Sequence, residues 1–216
     1  MTTIRRTAAV LGLLAIAATA QADDRRYQTS DVIDISGAGG PYQGAAWLIR
    51  TEDEIEGRIM TRVSTAGAPY TLWIVIFNNP AACGDNGCGD DEDFANPDIG
   101  ISVFNGTGAI SVPDGDLKPN GKPSGRGMVN FDFEIEAGGL PNGLFLLFGA
   151  EDGLAEGNGY GAEVHLVIDR HPRPANGLSW IPDLTTTNFP GLGPAVNDRA
   201  AVFLACPDDD CPGSVL

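Results

Sequence analysis

Helical periodicity is what this sequence most lacks. No window repeats apolar residues at helical spacing, and Gly and Pro, at 29 and 15 residues, recur too often for long helices. Strands joined by many tight turns use residues this way. Basic side chains are scarce as well. Only 13 Lys and Arg stand against 29 Asp and Glu, which argues against nucleic acid and anionic lipid surfaces as partners. Beyond the N-terminus no apolar run approaches the length of a membrane span. Motifs for chemistry are missing too. There is no Gly-x-Ser-x-Gly elbow, and the only histidines, His165 and His171, have no Cys or Ser at a nucleophile–base spacing. Gly37–Gly40 and Gly157–Gly161 lack the strand–loop–helix setting of a phosphate cradle. No catalytic residue is assigned, and the chain is not read as an enzyme.

What is present begins with an export signal. Arg5 and Arg6 precede an apolar run from Ala8 to Ala18, and Ala20-Gln21-Ala22 puts small residues where a signal peptidase reads. The sequence therefore predicts a signal peptide over 1–22 and a single mature domain over 23–216, secreted or periplasmic. Losing Arg5 and Arg6 takes the formal charge from −16 to −18. Such a charge suits solubility and cation binding.

Four cysteines occur as two matched pairs, Cys83 with Cys88 and Cys206 with Cys211. Export places them where disulfides form. Three connectivities are open, and the two local bridges are favoured because each pair is already close and flanked by Gly or Pro. A local bridge is worth roughly 2 kcal/mol in loop entropy, and one between the two segments nearer to about 5. A four-cysteine zinc site is the remaining alternative.

The chain is organised around Tyr70–Phe94. Tyr70 to Phe77 is apolar on both faces and reads as a central strand. Asn78-Asn79-Pro80 ends it, because Pro has no N–H for a ladder. An acidic cysteine loop follows, with one helical turn over Asp90–Phe94. Elsewhere alternation marks half-buried strands. Ile55, Gly57, Ile59, Thr61 and Val63 face inward, as do Val129, Phe131, Phe133 and Ile135, and Val164, Leu166 and Ile168. Ala45–Thr51, Leu144–Phe148 and Ala200–Ala205 read as further short strands. Ile99–Phe104 and Thr107–Val112 read as two strands about a Gly106 turn. Asp23–Gly44 reads as a polar entry segment with one edge strand, and Pro113–Gly127 and Pro172–Gly193 as irregular stretches. The fold class is all-β, an antiparallel two-sheet β-sandwich of about seven to nine strands with disulfide-stapled loops.

Two places could carry metal chemistry. Asp85, Asp90, Asp91, Glu92, Asp93 and Asp98 crowd the first cysteine loop. Clustered carboxylates on a stapled loop are the donors a hard cation takes, so calcium is the cofactor this loop would hold. Asp208-Asp209-Asp210 would join it if the two loops met at one end of the fold. Glu163, His165 and His171 share one strand face and suit a transition metal. The two imidazoles could share an ion only if the chain bends at Asp169-Arg170. Against both stands the plainer reading, a solvated loop and structural histidines. The partner is an unidentified extracellular or periplasmic ligand.

Two stretches carry a resemblance. Tyr70-Thr-Leu-Trp-Ile-Val-Ile-Phe-Asn-Asn-Pro80 before Cys83 and Cys88, and Ala162-Glu-Val-His-Leu-Val-Ile-Asp-Arg-His171, look like a family of uncharacterised secreted bacterial proteins. The likeness covers roughly Ile59 to Cys206 and implies no activity. More distantly, the His165 strand is similar to that of chordin-type (CHRD) β-sandwich domains. Glu163 stands where that motif has its first His. The resemblance implies a sandwich, with a metal-binding protein of CHRD or superoxide-dismutase type as the alternative to a non-catalytic module.

Overall fold

The computed structural model describes residues 24–36, 43–84, 87–113, 127–139, 145–149, 153–171, 196–206 and Cys211. The predicted signal peptide, Asp85, residues 114–126 of the stretch read as irregular, Pro172–Gly193 and Asp208–Asp210 lie outside them. Ten strands are described: β1 (Arg26–Asp34), β2 (Gly44–Arg50), β3 (Glu54–Val63), β4 (Pro69–Phe77), β5 (Ile101–Ile110), β6 (Val112–Pro113), β7 (Gly127–Glu136), β8 (Phe145–Gly149), β9 (Glu163–Arg170) and β10 (Val196–Phe203). A single helical turn, α1 (Asp91–Phe94), lies in the first cysteine loop.

All described pairings are antiparallel, and the strands form one continuous sheet in the order β6-β7-β3-β2-β1-β10-β9-β4-β5-β8. The all-β antiparallel class is as read from the sequence, but the described strands are not split into two separate sheets. β1 joins the halves. Its residues Arg26 to Val32 pair with β2, whereas Ile33 and Asp34 pair with β10. The sheet curls so that β10 approaches β3 and β5 approaches β7. Inward side chains of both halves then meet in one core. Leu48, Ile55, Ile59, Phe131 and Phe133 from one half pack with Leu72, Ile74, Val164, Leu166 and Phe203 from the other. The inward sets predicted for β3, β7 and β9 are the buried ones. β4 lies between β9 and β5 and is buried along nearly its whole length. Inward Gly57 is needed because Phe133 and Leu48 occupy the space of a Cβ.

Three element readings are corrected. β1 is internal, not an edge strand. Its inward positions include Gln28 and Ser30, which are buried although polar, so the short apolar alternation around Val32 and Ile33 does not extend along it. β10 starts at Val196, before Ala200, and its early residues include buried Asp198 and Arg199. β5 is one strand, not two about a turn. Trp73 pairs with Asn105 and Thr71 with Gly108, so Gly106 and Thr107 share one partner position and form a bulge.

Candidate functional site

Both local disulfides are formed, Cys83–Cys88 and Cys206–Cys211, and no described cysteine is free. The two stapled loops leave the same end of the sheet. β4 ends at Phe77 and β10 at Phe203, and these pair with Glu163 and Val164 on the strand between them.

The first loop folds back over the outer face of β4 and β5. Val75, Phe77, Ile99, Ile101 and Val103 form a second small core there, with Trp73, Ala82 and both cysteines packed against it. The predicted carboxylates divide. Asp93 is buried and accepts from the backbone N–H groups of Gly84, Gly89 and Asp90, at 3.3, 2.8 and 3.0 Å. It is a loop organiser whose oxygens already have donors. Asp90 caps α1. Asp90 and Asp91 are exposed, and Asp85 lies outside the described residues. Gly89, at φ +119°, faces the His165 ring.

The histidines take separate partners. His165 Nε2 lies 2.6 Å from Glu163 Oε1, and its ring packs on Phe77. His171 Nε2 lies 2.9 Å from Thr71 Oγ1, which also accepts from Trp73 Nε1 at 3.2 Å. β9 pairs with β4 without interruption through Asp169 and Arg170, so no bend brings the imidazoles together. At roughly 3.3 Å per residue they stand about 20 Å apart. Burial lowers the pKa of His171. Asp169, only 5% exposed, has an Oδ1 without a hydrogen-bond partner among the described residues. Burial, and secondarily Asp198, push its pKa up to about 6. Among the described residues, no three His, Cys, Asp or Glu side chains converge in a way that could hold a metal ion.

Two buried arginines tie the fold, and the sequence reading assigned neither a role. Arg50 is fully buried and donates to Gln28 Oε1 at 2.6 Å, to the Gly159 and Ala162 carbonyls at 2.8 Å each, and to those of Phe203 and Leu204 at 3.4 and 3.3 Å. Burial lowers its pKa to about 10, with Glu163 acting the other way. Arg199 pairs with Asp198 at 2.6 Å and Asp34 at 3.2 Å, and donates to the Arg62 carbonyl at 2.7 Å. Asp198 also accepts from Ser64 Oγ and lies 3.4 Å from the Tyr70 hydroxyl.

Among the described residues, no second core covers the outer face of the other half. Along it lie Tyr27, Thr29 and Asp31 of β1, Ala45, Trp47 and Ile49 of β2, Glu54, Glu56, Arg58 and Met60 of β3, and Asn130, Asp132, Glu134 and Glu136 of β7. Tyr27 is 61% and Met60 51% exposed, the largest exposures among the described large apolar side chains. The Tyr27 and Trp47 rings stack with centroids 6.4 Å apart. The Arg58 guanidinium lies 5.7 Å from the Trp47 ring centroid and pairs with Asp132. Beside this platform the register sets like charges opposite each other, Glu54 against Glu136 and Glu56 against Glu134. Such pairs are unfavourable. The pKa of Glu54 is raised, chiefly by desolvation and then by Glu134 and Glu56, with Arg25 acting the other way. At that end a hollow of about 500 Å³ is lined by Thr51, Asp53, Glu54, Glu136, Ala137 and Glu156. The outward alternation of β3 and β7 was legible in the sequence. The pairing of Glu with Glu and the meeting of Tyr27 with Trp47 depend on register, which one sequence does not display.

Comparison with known proteins adds no relative: no family model, no curated protein and no solved structure matches the chain. Among the described residues no helix is long and apolar enough to cross a membrane. The two disulfides suit an oxidising setting.

Proposed function

We propose that the protein is a secreted or periplasmic, acidic, non-catalytic binding module, and that it binds through the outer face of β1, β2, β3 and β7. The observation that carries this reading is the contrast between outer faces. The stapled loop covers the β4–β5 face with a second apolar core, while among the described residues Tyr27 and Met60 on the opposite half stay mostly exposed and Trp47 is partly exposed. Exposed apolar groups gathered on a polar face mark interaction surfaces. The core shared by the two halves supports describing the fold as a sandwich closed through β1.

Residues kept for binding need not support the fold. Replacing Tyr27, Trp47 and Met60 together with Ser, Ser and Thr is expected to leave the melting temperature within a few degrees of the parent. Loss of cooperative unfolding would show these side chains to be structural and end the reading. The calcium and transition-metal readings are separated in the same assay by adding calcium, zinc or copper to EDTA-treated protein. An ion at a hundredfold over its dissociation constant would add about 2.7 kcal/mol. A rise with zinc or copper that vanished in His165→Ala would favour a metal protein over a binding module.

A further inference from the structure

From the chemistry of the open face we infer the class of its partner: a protein segment bearing Lys or Arg side chains, laid across β1, β2, β3 and β7. This rests on the binding-face reading above and names the ligand for it. Register places Tyr27, Ile49, Glu56 and Glu134 in one row across the four strands, and Thr29, Trp47, Arg58 and Asp132 in the next. Adjacent strands lie about 4.8 Å apart, so the first row spans about 14 Å. Its apolar end is Tyr27 beside Ile49, with the Tyr27 ring stacked on Trp47 of the next row. Its other end is the carboxylate doublet Glu56–Glu134, continued by Glu54–Glu136.

A basic segment satisfies both ends at once. Aromatic faces attract cations. The stems of Lys and Arg cover apolar surface while their heads reach carboxylates. The protein already makes this interaction internally, since Arg58 lies over Trp47 and pairs with Asp132. Charge complementarity points the same way, because a bound cation would relieve the two like-charge pairs and the chain as a whole carries −16. A neutral sugar would stack on Tyr27 and Trp47 but would have no use for the doublet. A bare polyamine would meet the doublet but leave Met60 and Ile49 uncovered.

The test is fluorescence anisotropy of a labelled hexa-arginine peptide with the full mature protein, in low-salt buffer and at physiological salt. The parent is expected to bind. Tyr27→Ala with Trp47→Ala, and separately Glu56→Gln with Glu134→Gln, are each expected to weaken binding about tenfold. Asp90→Asn with Asp91→Asn, which removes the same charge from the cysteine loop, is expected to leave it unchanged. If the Trp47 variant fails to fold, Tyr27→Ala alone serves, because that side chain projects into solvent. Absence of binding by the parent, or equal weakening by the Asp90 and Asp91 substitutions, overturns the proposal, the latter by showing diffuse attraction. Spermine binding as tightly as the peptide would also overturn it, as would self-association lost in the Tyr27 and Trp47 variant. Binding of a neutral oligosaccharide that needs Trp47 but not Glu56 and Glu134 would overturn the basic partner while keeping the face as the binding surface. The melting assay on the Ser and Thr triple variant judges that face independently.

Discussion

Arg50 and Arg199 are both buried arginines, yet they are satisfied in opposite ways. Arg50 sits near Gln28 at one end of β1, and its hydrogen bonds go to neutral oxygens, one amide and four carbonyls. Arg199 sits at the other end, where Asp34 and Asp198 both face it. The first arrangement stitches backbone segments with dipoles that do not titrate. The second brings two carboxylates to one guanidinium and leaves the Asp169 carboxyl in the field of Asp198. One end of the sheet is therefore expected to respond less to pH than the other, with Glu163 the titratable group that acts on Arg50.

The largest effect is expected from removing each cation in turn. Arg199→Met strands two buried carboxylates and should cost about 3–5 kcal/mol at neutral pH. Arg50→Met orphans several buried acceptors and should cost a comparable amount. The pH dependence separates them. In urea unfolding the loss in the Arg199 variant should vary more with pH than the loss in the Arg50 variant, because Arg199 holds two carboxylates directly whereas the hydrogen bonds of Arg50 go to an amide and carbonyls. Equal behaviour of the two would break the comparison.

Asp169 sharpens it. Its folded-state pKa of about 6 lies above the ordinary 3.8. The native state therefore holds this proton more tightly than the unfolded chain, and native stability falls as pH rises from about 4 through 6. The swing is up to about 3 kcal/mol. His171 acts in reverse, because its lowered pKa withdraws stability as pH drops below 6.5. Asp169→Asn should flatten the first slope and leave the second. An unchanged slope would assign it to another carboxyl. The smallest effect is expected from Gln28→Ala, which removes Arg50's side-chain acceptor but leaves its carbonyls. A loss of about 2 kcal/mol, the same at pH 5 and pH 8, is the expected result.

These polar groups also explain what the sequence displayed and what it hid. Where a strand packs apolar side chains inward, as β3, β7 and β9 do, alternation identified both the strand and its buried face. Where the inward positions are Gln28 and Ser30, or Asp198 and Arg199, the same rule fails, because their partners come from distant segments. So β1 looked like an edge and β10 looked short. Local bridges were legible because each cysteine pair is close in sequence. Of the candidate ligands, Asp93 serves its own loop and His165 serves Glu163, while the open face emerged only from pairing register. Arg50 was invisible as an anchor, since its acceptors are mostly backbone oxygens beyond residue 158.

The placement of β1 has a consequence for how the chain is made. β1 is the first described strand to be synthesised, and β10, which it joins, is the last. The ring of contacts between the halves cannot close until nearly the whole polypeptide is available. Loop closure over such a span slows folding. A nascent chain would remain open through most of its synthesis, and its final architecture would be sealed only after β10 arrives.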